Sequence, residues 1–342
     1  MSLRRLILAL ALAILTLSTG SPVASLDAQE THLLVIRGIA GDPEYRGRFH
    51  GWSVALIEAA RASGVANEHI QYLAEKPTES AGPTGESRKE DVEAAFRRLA
   101  AEATPDDRAF IVLIGHGSFR DGVSRFNLPG PDLSAEDFSA LVDQVPTRQI
   151  AFVNTASSSG EFVKALSGPG RVVVAATKSG GERNFTRFPA HFVAAYADDA
   201  ADLDKNGRVS VLEAFEYARS EVERAYATAN TIVTEHPVLD DDGDGVGSPE
   251  PALSGESVDG ALASRLFIGE PTAANSALAA AAAADSVVGR LVSERAAFEE
   301  QVAVLRAARE GMDPEAYQSA LEDLLIELAL KNREIRQRTG GP

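Results

Sequence analysis

Short apolar runs alternate with amphipathic segments along the first half of the chain. His32 to Arg37, Ile70 to Leu73, Arg108 to Gly115, Gln149 to Asn154 and Arg171 to Thr177 are apolar and rich in β-branched residues. Unbroken runs of this length predict strands buried on both faces, as in a parallel sheet. Between them, apolar residues recur at helical spacing. Gly51 to Ser63 carries Val54, Leu56 and Ile57, and the helix expected after Ser87 carries Val92, Ala95, Phe96 and Leu99. Ser87 with Glu90, and Ser134 with Asp137, have the spacing of a capping box. Ser134 to Val142 and Gly160 to Leu166 are two further helices, and Val123 to Leu128 reads as a small hairpin arm. Repeated strand–helix alternation predicts an α/β fold, a doubly wound sheet with helices on both faces.

After Thr177 the pattern changes. Pro189 to Ala200 and Ser210 to Ala229 read as helices, and Leu262 to Ile268 as a last edge strand. Lys76 to Ser87 is a Pro/Gly/Ser loop, and Pro271 to Ala274 a linker. Ala277 to Ala308 carries an alanine run, then Val287, Leu291, Phe298, Val302 and Leu305 on one stripe. Gly311 breaks the pattern, and Asp313 caps a second helix with Pro314 in its first turn. Tyr317, Leu321, Leu324, Leu328 and Ile335 complete a helical hairpin, a coiled-coil arm suited to packing or to homo-oligomer formation. Three regions follow: residues 1–28, an α/β domain over 29–270, and the C-terminal hairpin over 271–342.

The first region has the pattern of a secretory signal. Arg4 and Arg5 precede a short apolar core, Leu6 to Leu17, with small-residue cleavage points near Ser25 and Ala28. That core is too short for a comfortable membrane span, so the expected location is secreted or periplasmic. The chain has no cysteine. Disulfide staples and a cysteine nucleophile are therefore both excluded. A net charge of −17 argues against a nucleic-acid partner and favours divalent cations.

The sharpest motif is Asp202-Leu203-Asp204-Lys205-Asn206-Gly207-Arg208-Val209-Ser210-Val211-Leu212-Glu213. Oxygen-bearing side chains stand at Asp202, Asp204, Asn206, Ser210 and Glu213, glycine stands at the sharp turn, and Arg208 offers its carbonyl. This is the ligand spacing of an EF-hand calcium loop between two helices. Asp240, Asp242 and Asp244 repeat half of that pattern within residues 240–251, where Pro251 stands at the last ligand position and has no side-chain donor. It reads as an incomplete calcium loop or as a solvated acidic turn. With only two methionines in the chain, a Met-rich sensor groove is absent, and calcium is expected as a structural staple.

Two strand ends carry the candidate chemistry. The run to Ile114 ends in Gly115-His116-Gly117. The run to Asn154 ends in Thr155-Ala156-Ser157-Ser158-Ser159-Gly160. In an open α/β sheet, function gathers beyond the carboxyl ends of the strands. These residues resemble the caspase/legumain-type cysteine peptidases, which carry His-Gly after one strand and Ala-Cys-x-Ser-Gly after the next. Ser157 stands where that family has its nucleophilic cysteine. The resemblance covers roughly Thr31 to Phe267 and implies a caspase-like sheet sandwiched by helices. It implies His116 as general acid/base, position 157 as nucleophile, the Gly117 N–H in the oxyanion hole and Arg46 lining the substrate pocket. The EF-hand is an insertion typical of some secreted bacterial relatives.

A serine hydroxyl is not ionised near neutrality and needs a base in hydrogen-bond contact, itself oriented by a third group. Asp121 is the acid nearest to His116 in sequence. The expectation is an exported, calcium-binding pseudopeptidase that binds a peptide or protein ligand or serves as a scaffold. The alternative is a hydrolase using Ser157 with His116. His32, His50, His69, His191 and His236 are dispersed and show no metal-ligand spacing.

Overall fold

The computed structural model describes residues 29–76, 82–197, 201–203, 206, 208–251, 259–269, 281–282, 284–307 and 313–339. The predicted signal, the Pro271–Ala274 linker, Asp204, Gly207 and Gly311 lie outside them.

The strands are β1 (Thr31–Arg37), β2 (Ile70–Ala74), β3 (Gly85–Glu86), β4 (Arg108–Ile114), β5 (Gly117–Arg120), β6 (Val123–Phe126), β7 (Leu133–Ser134), β8 (Gln149–Asn154), β9 (Arg171–Ala175) and β10 (Val238–Asp240). Seven of them form one sheet in the order β10-β9-β8-β4-β1-β2-β3. Every pairing in it is parallel except β10 on β9. The helices are α1 (Pro43–Ala62), α2 (Lys89–Glu102), α3 (Ala135–Val142), α4 (Glu161–Leu166), α5 (Phe188–Ala195), α6 (Val211–Thr228), α7 (Ser286–Ala307) and α8 (Pro314–Thr339).

The period of two along each strand splits the core into two layers. Leu33, Val35, Phe110, Val112 and Val153 pack with Phe49, Leu56, Phe192 and Phe215 of α1, α5 and α6. Leu34, Ile36, Ile111, Leu113 and Phe152 pack with Phe96, Phe138 and Phe162 of α2, α3 and α4. The fold is therefore a mixed, mostly parallel sheet between helical layers. The hairpin arm is a separate three-stranded sheet, β5-β6-β7, that grows directly from the end of β4.

Several local expectations change. α1 begins at Pro43, capped by Asp42, which accepts the Tyr45 N–H at 3.0 Å. The Ser134/Asp137 capping box forms, but the Ser87/Glu90 box does not. Ser87 is buried, and its N–H continues the sheet edge by donating to Ala74 O at 2.8 Å. Leu262 to Ile268 is not an edge strand. It is a 3-10 turn at Ala263–Arg265 followed by a single bridge from Phe267 to Ser210. The edge belongs to β10, which leads into the acidic stretch. α7 and α8 pack as an antiparallel pair, with Lys331 Nζ 3.0 Å from Glu294 Oε2 and Arg338 Nη1 3.8 Å from Asp285 Oδ2. Val288 lies in that buried stripe, one position on from Val287. Among the described residues no helix is long and apolar enough to cross a membrane.

Candidate functional site

β4 and β8 are neighbours, with Ile111 opposite Phe152 and Leu113 opposite Asn154. Their carboxyl ends therefore meet. Thr155 extends the pairing by one residue, its N–H donating to Leu113 O at 3.1 Å and its Oγ1 to the same oxygen at 2.8 Å. Asn154 Oδ1 accepts the Ala156 N–H and turns the chain. Ser157 then lies against the first residue of β5. Its Oγ donates to Gly117 O at 3.2 Å and accepts the Gly117 N–H at 3.4 Å.

Only glycine fits at this approach. A Cβ on residue 117 would stand 2.0 Å from Ser157 O, and one on residue 160 would stand 2.3 Å from Ser179 N. Ser158 adopts a φ of 56°, the left-handed conformation that side chains usually avoid. This strained residue swings the chain from the strand end into α4, and Glu182 O receives its N–H at 2.8 Å. Ser159 Oγ turns away to pair with Thr177. Ser157 is thus the one hydroxyl of the three presented to the β4 tip.

His116 does not complete a dyad. Among the described residues no hydrogen bond joins its ring to Ser157. The ring lies in an aromatic nest, with ring centres 4.8 Å from Tyr45, 5.0 Å from Phe49 and 5.9 Å from Phe185. Burial holds the imidazole below its ordinary pKa. A backbone hydrogen bond at Ala40 and the charge of Asp42 pull the other way. Asp42 is therefore the acid that acts on His116. Asp121 sits exposed in the tight turn between β5 and β6 with a φ of 54°.

A pH dependence follows. The unfolded chain takes up this proton near pH 6.5, whereas the folded chain resists it to lower pH. His116 therefore stabilises the fold above about pH 6.5 and withdraws that contribution as pH falls through the gap. His32 and His191 are also lowered, burial being the largest cause. The test compares the parent with His116→Gln by urea unfolding between pH 7.5 and 5.5. The parent is expected to lose more stability on acidification; parallel curves would refute the assignment.

Arg46 lies on α1 next to Tyr45 but faces the end of β2, where its Nε is 3.7 Å from Glu75 Oε2. Glu75 also receives the Ala40 N–H at 3.4 Å. Arg46 is at the same sheet edge as Ser157, occupied by an ion pair.

The predicted calcium loop connects α5 to α6. Asp202 Oδ1 accepts the Asn206 N–H, and Asn206 Oδ1 accepts the Arg208 N–H, which curls the chain. Glu213, only 7% exposed, turns its carboxylate back across the loop. One oxygen accepts the Leu203 N–H, the other the Ser210 N–H and hydroxyl. Ser210 and Glu213 also form the capping box of α6. Arg208 stacks on Phe267, 3.8 Å from its ring centre, and its guanidinium reaches Gly269 O at 3.4 Å. The donors present are oxygens, the set a hard cation takes. Asp204 lies outside the described residues.

Asp240, Asp242 and Asp244 converge, with carboxylate oxygens within 4.8 Å of one another. Asp259 lies beside them and, being beyond the loop, is outside the sequence pattern. It accepts the Asp241 N–H at 2.8 Å, and its carboxyl is pushed up to about 6 by burial and by Asp240, Asp242 and Asp241. Asp241 faces elsewhere and caps the turn at Ala263.

No protein-family model matches the chain, and no curated protein matches it either. Among solved structures it is similar to the crystal structure of protein GSU0716 from Geobacter sulfurreducens, at 13% identity and a TM-score of 0.39. That match covers 62% of this chain and 92% of the other.

Proposed function

We propose that this is an exported caspase/legumain-like protein with a calcium-stapled fold and no peptidase activity, which binds a peptide or protein ligand at the β4/β8 tips. The resemblance requires the His-Gly end and the nucleophile turn on adjacent strands, and β4 and β8 pair directly. The observation that carries the loss of activity is the hydrogen bonding of Ser157. Its hydroxyl donates to the Gly117 carbonyl, while His116 is engaged by Ala40 and three aromatic rings. A serine without a contacting base has no route for its proton during attack. What remains is a recessed turn flanked by aromatic rings and a strand edge, a surface suited to an extended peptide. The α7–α8 pair supplies a candidate surface for self-association.

A serine hydrolase is the second reading. One observation favours it: burial lowers the His116 pKa and so favours the neutral imidazole, the form a general base requires. A fluorophosphonate probe separates the two. We expect no labelling of the parent above the level of Ser157→Ala. Labelling of the parent that disappears in Ser157→Ala and in His116→Ala would establish the hydrolase instead.

A further inference from the structure

The end of the sheet opposite Ser157 brings together two histidines that the sequence keeps far apart. Glu30 and His32 are two positions apart on an extended segment and share a face. β1 and β2 pair in parallel with Leu33 opposite Ile70, so the residues just before that pair, His32 and His69, stand side by side. Their ring centres are 4.5 Å apart and tilted by 51°. Glu30 Oε2 reaches His69 Nε2 at 3.3 Å. One donor atom from each of Glu30, His32 and His69 lies within 4.8 Å of the others.

His32 is 3% exposed, and its Nε2 is enclosed with no hydrogen-bond partner. The closest acid oxygen, Asp107 Oδ2, is 3.7 Å away, beyond hydrogen-bonding reach. Asp107 is itself fixed, accepting the Glu30 N–H at 2.8 Å and the Thr104 N–H at 2.7 Å. A buried ring nitrogen in a cluster with a second imidazole and two carboxylates is short of one partner, and a cation that accepts electron pairs from nitrogen and oxygen would supply it.

The geometry points to a divalent transition-metal site, of the zinc class, held by His32, His69 and Glu30, with Asp107 alongside as a fourth donor or outer partner. Two donors about 2.1 Å from a tetrahedral ion stand roughly 3.4 Å apart. The His69–Glu30 pair already has that spacing, and the His32 donor lies within 4.8 Å of both. Two imidazoles select against calcium, which takes oxygen donors. β1 has seven residues, so this site and the Ser157 tip are separated by about 20 Å of strand. The ion there is a staple joining the segment before β1 to the turn before β2. It would serve a cysteine-free chain as a disulfide serves others.

The test uses the full chain carrying no histidine tag, in excess calcium so that the oxygen-donor loops are filled. Zinc titrated by calorimetry is expected to bind with one equivalent, and cobalt(II) to give the visible absorption of a four- or five-coordinate ion. Both signals should be lost in His32→Ala and in His69→Ala, and weakened in Glu30→Gln. His69 and Glu30 are partly exposed, so those two variants keep the fold even if His32→Ala does not. Asp107→Asn as an outer partner should weaken zinc by about 10–100-fold. Absence of a zinc equivalent in the parent, or an unchanged cobalt spectrum in His69→Ala, would overturn the assignment.

Discussion

Ser157→Cys is expected to place a fast-reacting thiol at the β8 tip. The chain contains no other cysteine, so any thiol probe reports on this position alone. A thiolate attacks without a base held against it; the Gly117 N–H that now meets Ser157 Oγ would favour the ionised sulfur, and the Gly117 carbonyl would oppose it. Cysteine is close enough to serine in size that the tight contact at Gly117 tolerates it. Iodoacetamide should modify it faster than a free cysteine at pH 7.5, and a broad peptide library should reveal cleavage after a restricted set of residues. Adding His116→Ala should remove the cleavage, by about 10²–10⁴-fold if the imidazole protonates the leaving amine. Cleavage would mean that the substrate cleft survives and that the change at position 157 alone silenced it. A thiol that alkylates readily while cleaving nothing would mean that the surrounding pocket has changed as well. A thiol no more reactive than free cysteine would remove the proposed nucleophile position altogether.

Why the meeting of the β4 and β8 tips is legible in the sequence, and the His32–His69 pair is not, comes down to the kind of signal each leaves. β4 and β8 are buried on both faces and appear as unbroken apolar runs, and the residues after such runs fall at one sheet edge by rule. His32 and His69 depend on the register between β1 and β2, which no short window contains. Short elements fail for a related reason. β3 has two residues and β10 three, each selected by the strand beside it and not by its own composition. The apolar pattern of α1 sets in only after Gly47 and Gly51, although Asp42 and Pro43 mark the start of the helix. Ser87 shows the limit of a motif. It has the spacing of a cap, but the edge of β2 takes its N–H first. The Asp259 carboxylate leaves no such signal, because the loop pattern ends at Pro251 before it.

Calcium removal is expected to produce the largest change in stability. With no disulfide, the connection from α5 through the 202–213 loop to α6 is held by Glu213, whose two oxygens bind three groups of its own loop. An ion bound only by the folded state stabilises it by RT ln(1 + [L]/Kd), roughly 2–3 kcal/mol at about 50–100 times Kd, or on the order of 5–10 °C for a domain of this size. Differential scanning fluorimetry in millimolar calcium against a chelator measures it. Glu213→Gln separates the charge from the cap, because glutamine retains the capping-box geometry at the start of α6. That variant should melt close to the chelated parent and should not respond to calcium at the first loop. Asp242→Asn removes one carboxylate from the acidic cluster beside Asp259, so any calcium response remaining in Glu213→Gln but lost in the double variant belongs to that second loop. Identical melting of the parent with calcium and with chelator would remove calcium from the account. The long loop between α5 and α6 would then be held by its own hydrogen bonds.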